Sequence, residues 1–215
     1  MGPALGVDEV GPIDLVLLTH DHHADNLDDA GRRLLGDVPR VLTTQPGAAR
    51  LGGGAIGLAP WASTVVEGPD LAPIEVTATP CRHGPPLSHP IVGDVVGFAL
   101  RSPDDPSVLW ISGDTVLYEG VEEVADRLDV DIALLHLGGV RFGITGPIRY
   151  TMTAAEGLEL CDKVRPRVVV PVHYEGWSHF RDGPDGLDAA LASAPPDVVA
   201  SVHRLELGVP TTLPG

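Results

Sequence analysis

Basic residues are scarce in this sequence. Its 215 residues include 14 lysines and arginines against 30 aspartates and glutamates, which gives a formal net charge of −16 at pH 7. A surface of that sign repels phosphate backbones and anionic lipids. The sequence also lacks a basic stretch interleaved with aromatic residues, the pattern typical of nucleic-acid binding. We therefore expect neither nucleic acid nor a membrane as a partner. A small-molecule substrate stays open, because a metal site creates its own positive field.

Cysteine and long apolar segments are scarce as well. The two cysteines, Cys81 and Cys161, have no C-x-x-C spacing. This argues against a structural zinc site or a redox pair and fits a reducing compartment. No apolar run is long enough to cross a bilayer, and residues 1–10 lack the basic head and apolar body of a signal peptide. We expect a soluble, cytoplasmic protein.

Short apolar runs alternate with helical patterns along the chain. Strands are predicted at β-rich runs, and helices where apolar residues recur at helical spacing or where a capping box begins, as at Thr153 and Glu156. The predicted strands are 14–19, 40–43, 74–79, 95–100, 108–111, 131–136, 167–172 and 198–207, and the predicted helices are 24–35, 118–128, 153–164 and 185–194. This order indicates a layered α/β fold. No repeat or linker interrupts it, so we expect a single domain over residues 1–215.

Side chains that can bind a metal follow four of these predicted strands. In chain order they are His20 and His22, His83, Asp114 and His173. Loops that leave the strand ends of a layered α/β sheet converge to form sites. We therefore expect these residues, which are far apart in the sequence, to gather around a common cation.

The densest cluster is the segment 20–25, which has three histidines and two aspartates directly after a buried predicted strand. Two histidines separated by one residue can turn both imidazoles toward one ion. Imidazole nitrogen suits zinc, iron and manganese, and a nearby carboxylate adds charge neutralisation. An isolated His-x-His pair is often only a surface or hydrogen-bonding feature, but the density of this cluster favours metal binding.

The cluster resembles the H-x-H-x-D-H signature of the metallo-β-lactamase superfamily, and later segments follow the order of that family's motifs. Residues 79–84 are similar to its third motif, residues 112–115 to its bridging-aspartate motif and residues 170–174 to its final histidine motif. The run 175–180 resembles the subgroup related to L-ascorbate-6-phosphate lactonase and N-acyl-phosphatidylethanolamine phospholipase D. The resemblance covers nearly the whole chain and implies a four-layer αββα sandwich.

The resemblance also implies a binuclear metal site, with two divalent ions that would be Zn²⁺ or Mn²⁺. Three histidines would hold one ion, and an aspartate would bridge it to a second ion bound by one more aspartate and one more histidine. The first set is His20, His22 and His83, the bridge is Asp114, and the second set adds Asp25 and His173.

The implied activity is that of a metal-dependent hydrolase. A metal-bound hydroxide would attack a small ester, lactone, amide or phosphoester, so that no serine or cysteine nucleophile is needed. Asp25 would orient the attacking water and pass on a proton. Asp25 and Asp114 are therefore the expected catalytic residues.

The cluster departs from the family signature in its second half. Ala24 stands where the signature has aspartate, and Asp25-Asn26 comes one residue late. Either the loop has gained a residue, so that Asn26 stands where a histidine would, or Asp25 occupies the histidine's position. Both readings leave the second ion with fewer nitrogen ligands, and Asn26 and His23 are further candidate ligands. The alternative function is a non-catalytic, metal-binding member of the same fold.

The start of the chain departs from the family too. Relatives usually carry several strands ahead of the His-x-His strand, whereas only thirteen residues precede Asp14. We expect the sandwich to lack some N-terminal strands. An exposed sheet margin leaves backbone groups unpaired unless another segment or chain covers it. A homo-oligomer is one such arrangement.

Four more residues are candidates for the substrate pocket. His136 ends a predicted strand, and Tyr118, just after the Asp114 loop, could donate to a developing oxyanion. A structural role is the alternative for both. The resemblance places Trp177 and His179 near the pocket rim.

Overall fold

The computed structural model describes residues 4–24, 26–68 and 71–214. The strands in this part of the chain are β1 (Val16–Leu17), β2 (Val41–Thr44), β3 (Ile56–Leu58), β4 (Ser63–Gly68), β5 (Leu71–Pro80), β6 (Val96–Ser102), β7 (Asp105–Ile111), β8 (Val130–His136) and β9 (Val168–Val172). The helices are α1 (Val7–Val10), α2 (Asp29–Asp37), α3 (Gln45–Leu51), α4 (His89–Val92), α5 (Glu119–Arg127), α6 (Ala154–Val164), α7 (Gly183–Ser193) and α8 (Pro196–Ser201), with a 3₁₀ helix at Gly143–Thr145.

The strands form a three-stranded sheet in the order β1-β2-β3 and a six-stranded sheet in the order β4-β5-β6-β7-β8-β9. β1, β2 and β3 are parallel. In the larger sheet, neighbours from β4 to β7 are antiparallel, whereas β7, β8 and β9 are parallel.

This topology brings several strand ends to one edge. β5 and β7 are both antiparallel to β6, so they run in the same direction as each other and as β8 and β9. The carboxyl ends of these four strands therefore lie together. The carbonyl of Thr19, just after β1, accepts a hydrogen bond of 3.1 Å from the amide of Val96 at the start of β6. This bond brings the end of the first strand to the same edge of the larger sheet.

Three apolar clusters divide the molecule into four layers. One lies between the two sheets and includes Leu42, Val76 and Phe98. A second packs β1 and β2 against the helical side chains Leu35 and Leu51. The largest packs the six-stranded sheet against α5, α6, α7 and α8. Helix, sheet, sheet and helix follow one another, which confirms the predicted αββα sandwich.

The capping box predicted at the start of the 153–164 helix is confirmed. The Thr153 hydroxyl accepts from the Glu156 amide at 3.2 Å, and the Glu156 carboxylate accepts from the Thr153 amide at 2.9 Å. These bonds satisfy two amides that the first turn of a helix leaves unpaired. α6 begins at Ala154 as a result.

The closing strand predicted over residues 198–207 is wrong. The chain forms α8 there instead, with Pro196 in its first turn, and only Val202 makes an isolated bridge to Val169. Proline at the first helical position suits a helix start because its missing amide has no helical partner to lose. The β-branched run Val198-Val199 therefore lies in a helix that begins at Pro196.

Other elements also differ from the predictions. The helix predicted over 24–35 begins at Asp29, because the Asp28 carboxylate accepts from the Gly31 amide at 2.7 Å and caps it. The strand predicted over 14–19 is reduced to β1. β3, β4 and α3 were not predicted. None of the described helices has the length and apolar character needed to cross a bilayer.

Candidate metal centre

Three imidazoles converge at the common edge of the strands. His20 follows β1, His23 lies on the same loop, and His83 follows β5. One ring nitrogen of each lies within 4.8 Å of those of the other two. His20 and His83 are buried, and His23 is partly buried. Three imidazole nitrogens this close together match a three-histidine zinc ligand set.

Main-chain carbonyls orient two histidines at this edge, His83 and His173. The Nδ1 of His83 lies 2.9 Å from the Tyr150 carbonyl, and the Nδ1 of His173 lies 3.2 Å from the Leu137 carbonyl. A carbonyl only accepts, so Nδ1 donates in both bonds and Nε2 keeps the lone pair. Histidines that bind metals are held in this way. The bonding pattern therefore fits a metal site.

His22 turns away from this group. Its Nδ1 lies 3.5 Å from Asp21 Oδ1 and 3.4 Å from Arg50 Nη2. Its ring packs on Gly93, which has a φ of 77°, and a Cβ at that glycine would come within 2.1 Å of the imidazole. The structure thus brings His23, and not the neighbouring His22, to the other two histidines.

A partly buried ion pair holds the loop between His20 and His23. The carboxylate of Asp21, only 3% exposed, accepts two hydrogen bonds from Arg50, at 2.8 and 2.6 Å. The Asp21 carbonyl accepts another from Arg32 at 2.9 Å. The hydrogen bond from Arg50 lowers the pKa of Asp21, so the carboxylate stays ionised. No sequence motif marked Arg50, because it lies in α3, 29 residues after Asp21 in the sequence.

The second half of the loop contains two further candidate ligands, Asn26 and Asp25. The Asn26 side-chain amide donates to the His20 carbonyl at 2.5 Å, and the Asn26 main-chain amide donates to the His23 carbonyl at 3.1 Å. Asn26 therefore braces the loop rather than facing the three imidazoles. Asp25, the predicted catalytic and metal-binding aspartate, lies outside the described residues.

Asp114 lies beside His173 and near enough to His83, His136 and His20 for their charges to act on it. Its Oδ2 is 3.6 Å from His173 Nε2, and the residue is 8% exposed. Burial opposes its ionisation, but nearby imidazoles outweigh that effect and lower its pKa to about 2; these belong to His173, His83, His136 and His20. An ionised carboxylate among histidines has the chemistry expected of a metal ligand.

His136 belongs to the same edge. Its ring centroid lies 5.7 Å from that of His173, and burial lowers its pKa to about 4. Sequence reasoning gave this residue either a place in the substrate pocket or a structural role, and the structure places it beside Asp114 and His173.

Backbone geometry positions His173, the last candidate ligand in the chain. His173, directly after β9, has a φ of 60°, a left-handed conformation that is uncommon outside glycine and that often marks functional sites. Gly138, with a φ of 101°, lies against it, and a Cβ there would come within 2.5 Å of the His173 carbonyl. Glycine is therefore required beside this histidine.

Two of the four predicted pocket residues reach a cavity next to the site. Trp177 and His179 line a cavity of about 570 Å³ together with His23. Tyr118 does not line it. Its ring instead lies under the Arg82 guanidinium at 4.3 Å, and burial raises its pKa to about 12. Sequence reasoning missed Phe142 and Tyr150, which complete the cavity wall.

The profile of the beta-lactamase superfamily domain matches residues 2–174, and the chain belongs to this superfamily. Among solved structures, the chain is similar to isothiocyanate hydrolase from Delia radicum gut bacteria, with a TM-score of 0.78 and 19% identity, over 98% of this chain and 80% of that one. It is also similar to Igni18, a novel metallo hydrolase from Ignicoccus hospitalis, with a TM-score of 0.71 and 22% identity, over 96% and 83%. At such identities these likenesses show the fold.

Curated relatives share more sequence. A UPF0173 metal-dependent hydrolase from Caldivirga maquilingensis is 29% identical over 203 residues, which span 91% of this chain and 79% of the relative. A UPF0173 metal-dependent hydrolase from Methanosphaerula palustris is 27% identical over 185 residues, which span 83% and 76%. The similarity thus extends over most of each protein.

Proposed function

We propose that this chain is a metal-dependent hydrolase that cleaves a small ester, lactone, amide or phosphoester. The observation that carries the proposal is the convergence of His20, His23 and His83 within 4.8 Å. An ionised, buried Asp114 beside them adds the negative charge that such a site needs. The relatives named as metal-dependent hydrolases support the same conclusion.

In this proposal one ion would be held by His20, His23 and His83, a nitrogen set that suits zinc. A second ion, zinc or manganese, would share Asp114 and take its other ligands from residues near that carboxylate. The residues available there are His173 and His136, and Asp25 is a further candidate. A divalent ion supplies an activated water molecule and polarises the bond to be cleaved.

The chain's own residues supply orientation and charge. The carbonyls of Tyr150 and Leu137 fix the tautomers of His83 and His173, and so aim both Nε2 atoms at the common edge. The Asp21–Arg50 ion pair keeps His20 and His23 on the inner side of their loop. The role of Asp25 in orienting water and moving a proton remains part of the proposal.

Two finer expectations belong to the same proposal. The run 175–180 supports a place in the subgroup related to ascorbate-6-phosphate lactonase and N-acyl-phosphatidylethanolamine phospholipase D, because it brings Trp177 and His179 to the cavity beside His23. The free thiols of Cys81 and Cys161 agree with a cytoplasmic location.

The test combines metal content with turnover. Protein purified without chelator is assayed by elemental analysis and against an ester, a lactone, an amide, a phosphodiester and an isothiocyanate, the last because the structurally similar enzyme is named for it. We expect at least one equivalent of transition metal, turnover of one class, loss with chelator, and recovery when metal is restored. The Asp114→Asn variant should lose most of the activity.

Two outcomes go against the proposal in different ways. Stoichiometric metal without turnover on any class would favour the non-catalytic, metal-binding alternative, which the bracing role of Asn26 also favours because it leaves the second ion one ligand short. Protein that binds no divalent metal at micromolar concentration would overturn the proposal itself.

A further inference from the structure

We infer that the 570 Å³ cavity beside His23 binds an uncharged, apolar or aromatic part of the substrate. The inference rests on the proposed function, because it assigns the cavity to the molecule that the metal centre cleaves. It narrows the substrate class to one with a bulky neutral group next to the scissile bond.

The cavity lies next to the candidate metal centre. A series of ring contacts runs from the metal centre along the cavity wall to its mouth. His83 lies 5.7 Å from Tyr150, Tyr150 lies 5.5 Å from Phe142, and Phe142 lies 5.1 Å from His179, measured between ring centroids. His179 in turn lies 5.5 Å from Trp177. A group bound against this wall therefore extends directly from the bond presented to the metal centre.

The lining of the cavity favours a neutral group. The described residues that line the cavity include no aspartate, glutamate, lysine or arginine. Most of the wall is instead apolar or aromatic, with Val92, Phe142, Ile144 and Tyr150 contributing to it. Away from the metal centre, an anionic group bound in this cavity would lose water without gaining a cationic partner, which is costly. A neutral apolar group loses little on entering, and its surface leaves water.

The cavity has a buried floor and an exposed apolar mouth. The floor of the cavity is built from Val92 and Tyr150, which pack with Val140 in a buried cluster and are 4% and 7% exposed. The mouth is different, since Ile144 is 97% and Trp177 is 50% exposed. Large apolar side chains that stay in water beside an apolar cavity mark a binding surface. A bound apolar group would cover both.

A second cavity near the site has the opposite character. It is smaller, about 230 Å³, and His83 rather than His23 contributes to its lining. Its lining includes Arg82 and a hydrogen-bonded pair in which His89 Nε2 lies 2.6 Å from Asp94 Oδ1. Charged groups would find partners in this cavity. The larger cavity alone has a volume and lining typical of a site for an apolar ligand.

The test uses esters of 4-nitrophenol with acetate, butyrate and hexanoate, together with binding of the neutral probe 2-naphthol to metal-loaded protein. A methylene group buried in the cavity should raise kcat/KM by up to about fourfold. We therefore expect the hexanoate to exceed the acetate by about tenfold or more. The Ile144→Ser and Trp177→Ala variants should reduce this ratio at least about threefold and weaken 2-naphthol binding, with metal content unchanged.

Leu207→Ser is the matched control, since Leu207 is an exposed aliphatic residue that does not line the cavity. It should keep both the chain-length ratio and the naphthol affinity. Turnover with no preference for longer chains, or a preference that Ile144→Ser and Trp177→Ala leave intact, would overturn the inference.

Two measurements distinguish this inference from the proposed hydrolase function and from dimer formation. If no ester is cleaved but 2-naphthol binds and the two cavity variants weaken it, the cavity assignment stands and the proposed hydrolase function fails. Light scattering identifies the other occupant that an exposed apolar mouth could have, which is a second copy of the chain. A wild-type dimer that Ile144→Ser converts to monomer would overturn the inference.

Discussion

The Nδ1–H of His83 donates to the main-chain carbonyl of Tyr150 at 2.9 Å, while the ring of the same tyrosine lines the cavity. One residue therefore orients a candidate metal ligand and shapes the adjoining apolar surface. Because the bond uses the main chain, side-chain changes at Tyr150 alter the cavity without removing the partner of His83. The metal centre and the cavity can thus be tested separately.

The Asp21–Arg50 ion pair should stabilise both the fold and the loop that carries His20 and His23. Arg50→Ala leaves a buried carboxylate without its two donors, and we expect a loss of about 1–2 kcal/mol in unfolding free energy. The value is kept low because Arg50 is 44% exposed and screened by solvent. Chemical denaturation measures the loss, and a metal titration should show weaker binding.

Arg50→Lys is the control for this pair. It keeps the positive charge but not the two-point geometry, so it should recover only part of the stability. Unchanged metal affinity in Arg50→Ala would show that the ion pair does not hold the loop.

Gly97 of β6 should be irreplaceable because the loop before Asp114 crosses it closely. A Cβ at this position would lie 2.5 Å from Thr79 Oγ1, 2.6 Å from the Ile111 carbonyl and 2.7 Å from the Ser112 carbonyl. Two of these neighbours are backbone and cannot rotate away. We expect Gly97→Ala to cost about 1–3 kcal/mol in unfolding free energy and to lower metal affinity.

Gly36→Ala is the matched control for Gly97→Ala. Gly36 lies in α2, and a Cβ there meets nothing within 4 Å. This variant should be neutral or more stable by up to about 1 kcal/mol, because alanine favours a helix over glycine. Equal effects of the two substitutions on unfolding would contradict the close approach at Gly97.

Thr153 should contribute to stability through its cap on α6. Thr153→Ala removes the hydroxyl that accepts from the Glu156 amide, and we expect a loss of about 1 kcal/mol. Thr153→Ser keeps the hydroxyl and should stay within a few tenths of the wild-type value. The measurement is the denaturation midpoint at constant m-value. A midpoint for Thr153→Ala that matches Thr153→Ser would argue against the cap.

Much of the fold could be predicted from the sequence because its signals are local. The capping box at Thr153 sets the start of α6, and apolar β-rich runs mark β5 to β9 closely. The failed strand at 198–207 shows the limit of such signals. Val198 and Val199 have the side chains of a strand, but the prolines before them begin a helix, and helix packing then buries Val198.

The candidate site was less predictable, because the choice between neighbouring histidines depends on the path of the loop. The spacing His20-x-His22 fits the family signature, whereas the structure groups His20 with His23. An extra residue before the second histidine explains this, because the sequence from His23 to Asn26 then follows the H-x-D-H half of the signature with asparagine in the last place. The partner that turns His22 outward, Arg50, lies in another helix and left no local mark.

The cavity wall was the least predictable part. Trp177 and His179 were suggested by family resemblance, but Phe142 and Tyr150 have no motif around them and reach the cavity only through the packing of the loop after β8. Tyr118 shows the converse. It follows the Asp114 loop in sequence, yet it packs under Arg82, because the start of α5 carries it toward the helical layer.

The most direct test of the account compares His22→Ala with His23→Ala. The two substitutions are chemically identical and adjacent, so their general effects on the loop should be similar. Metal content is measured by elemental analysis and affinity by competition with a chromogenic chelator. We predict wild-type metal content in His22→Ala, and in His23→Ala the loss of at least one equivalent or about a hundredfold weaker binding, as expected when one of three nitrogen ligands is removed. Loss of metal in His22→Ala with retention in His23→Ala would contradict the ligand group on which the account rests.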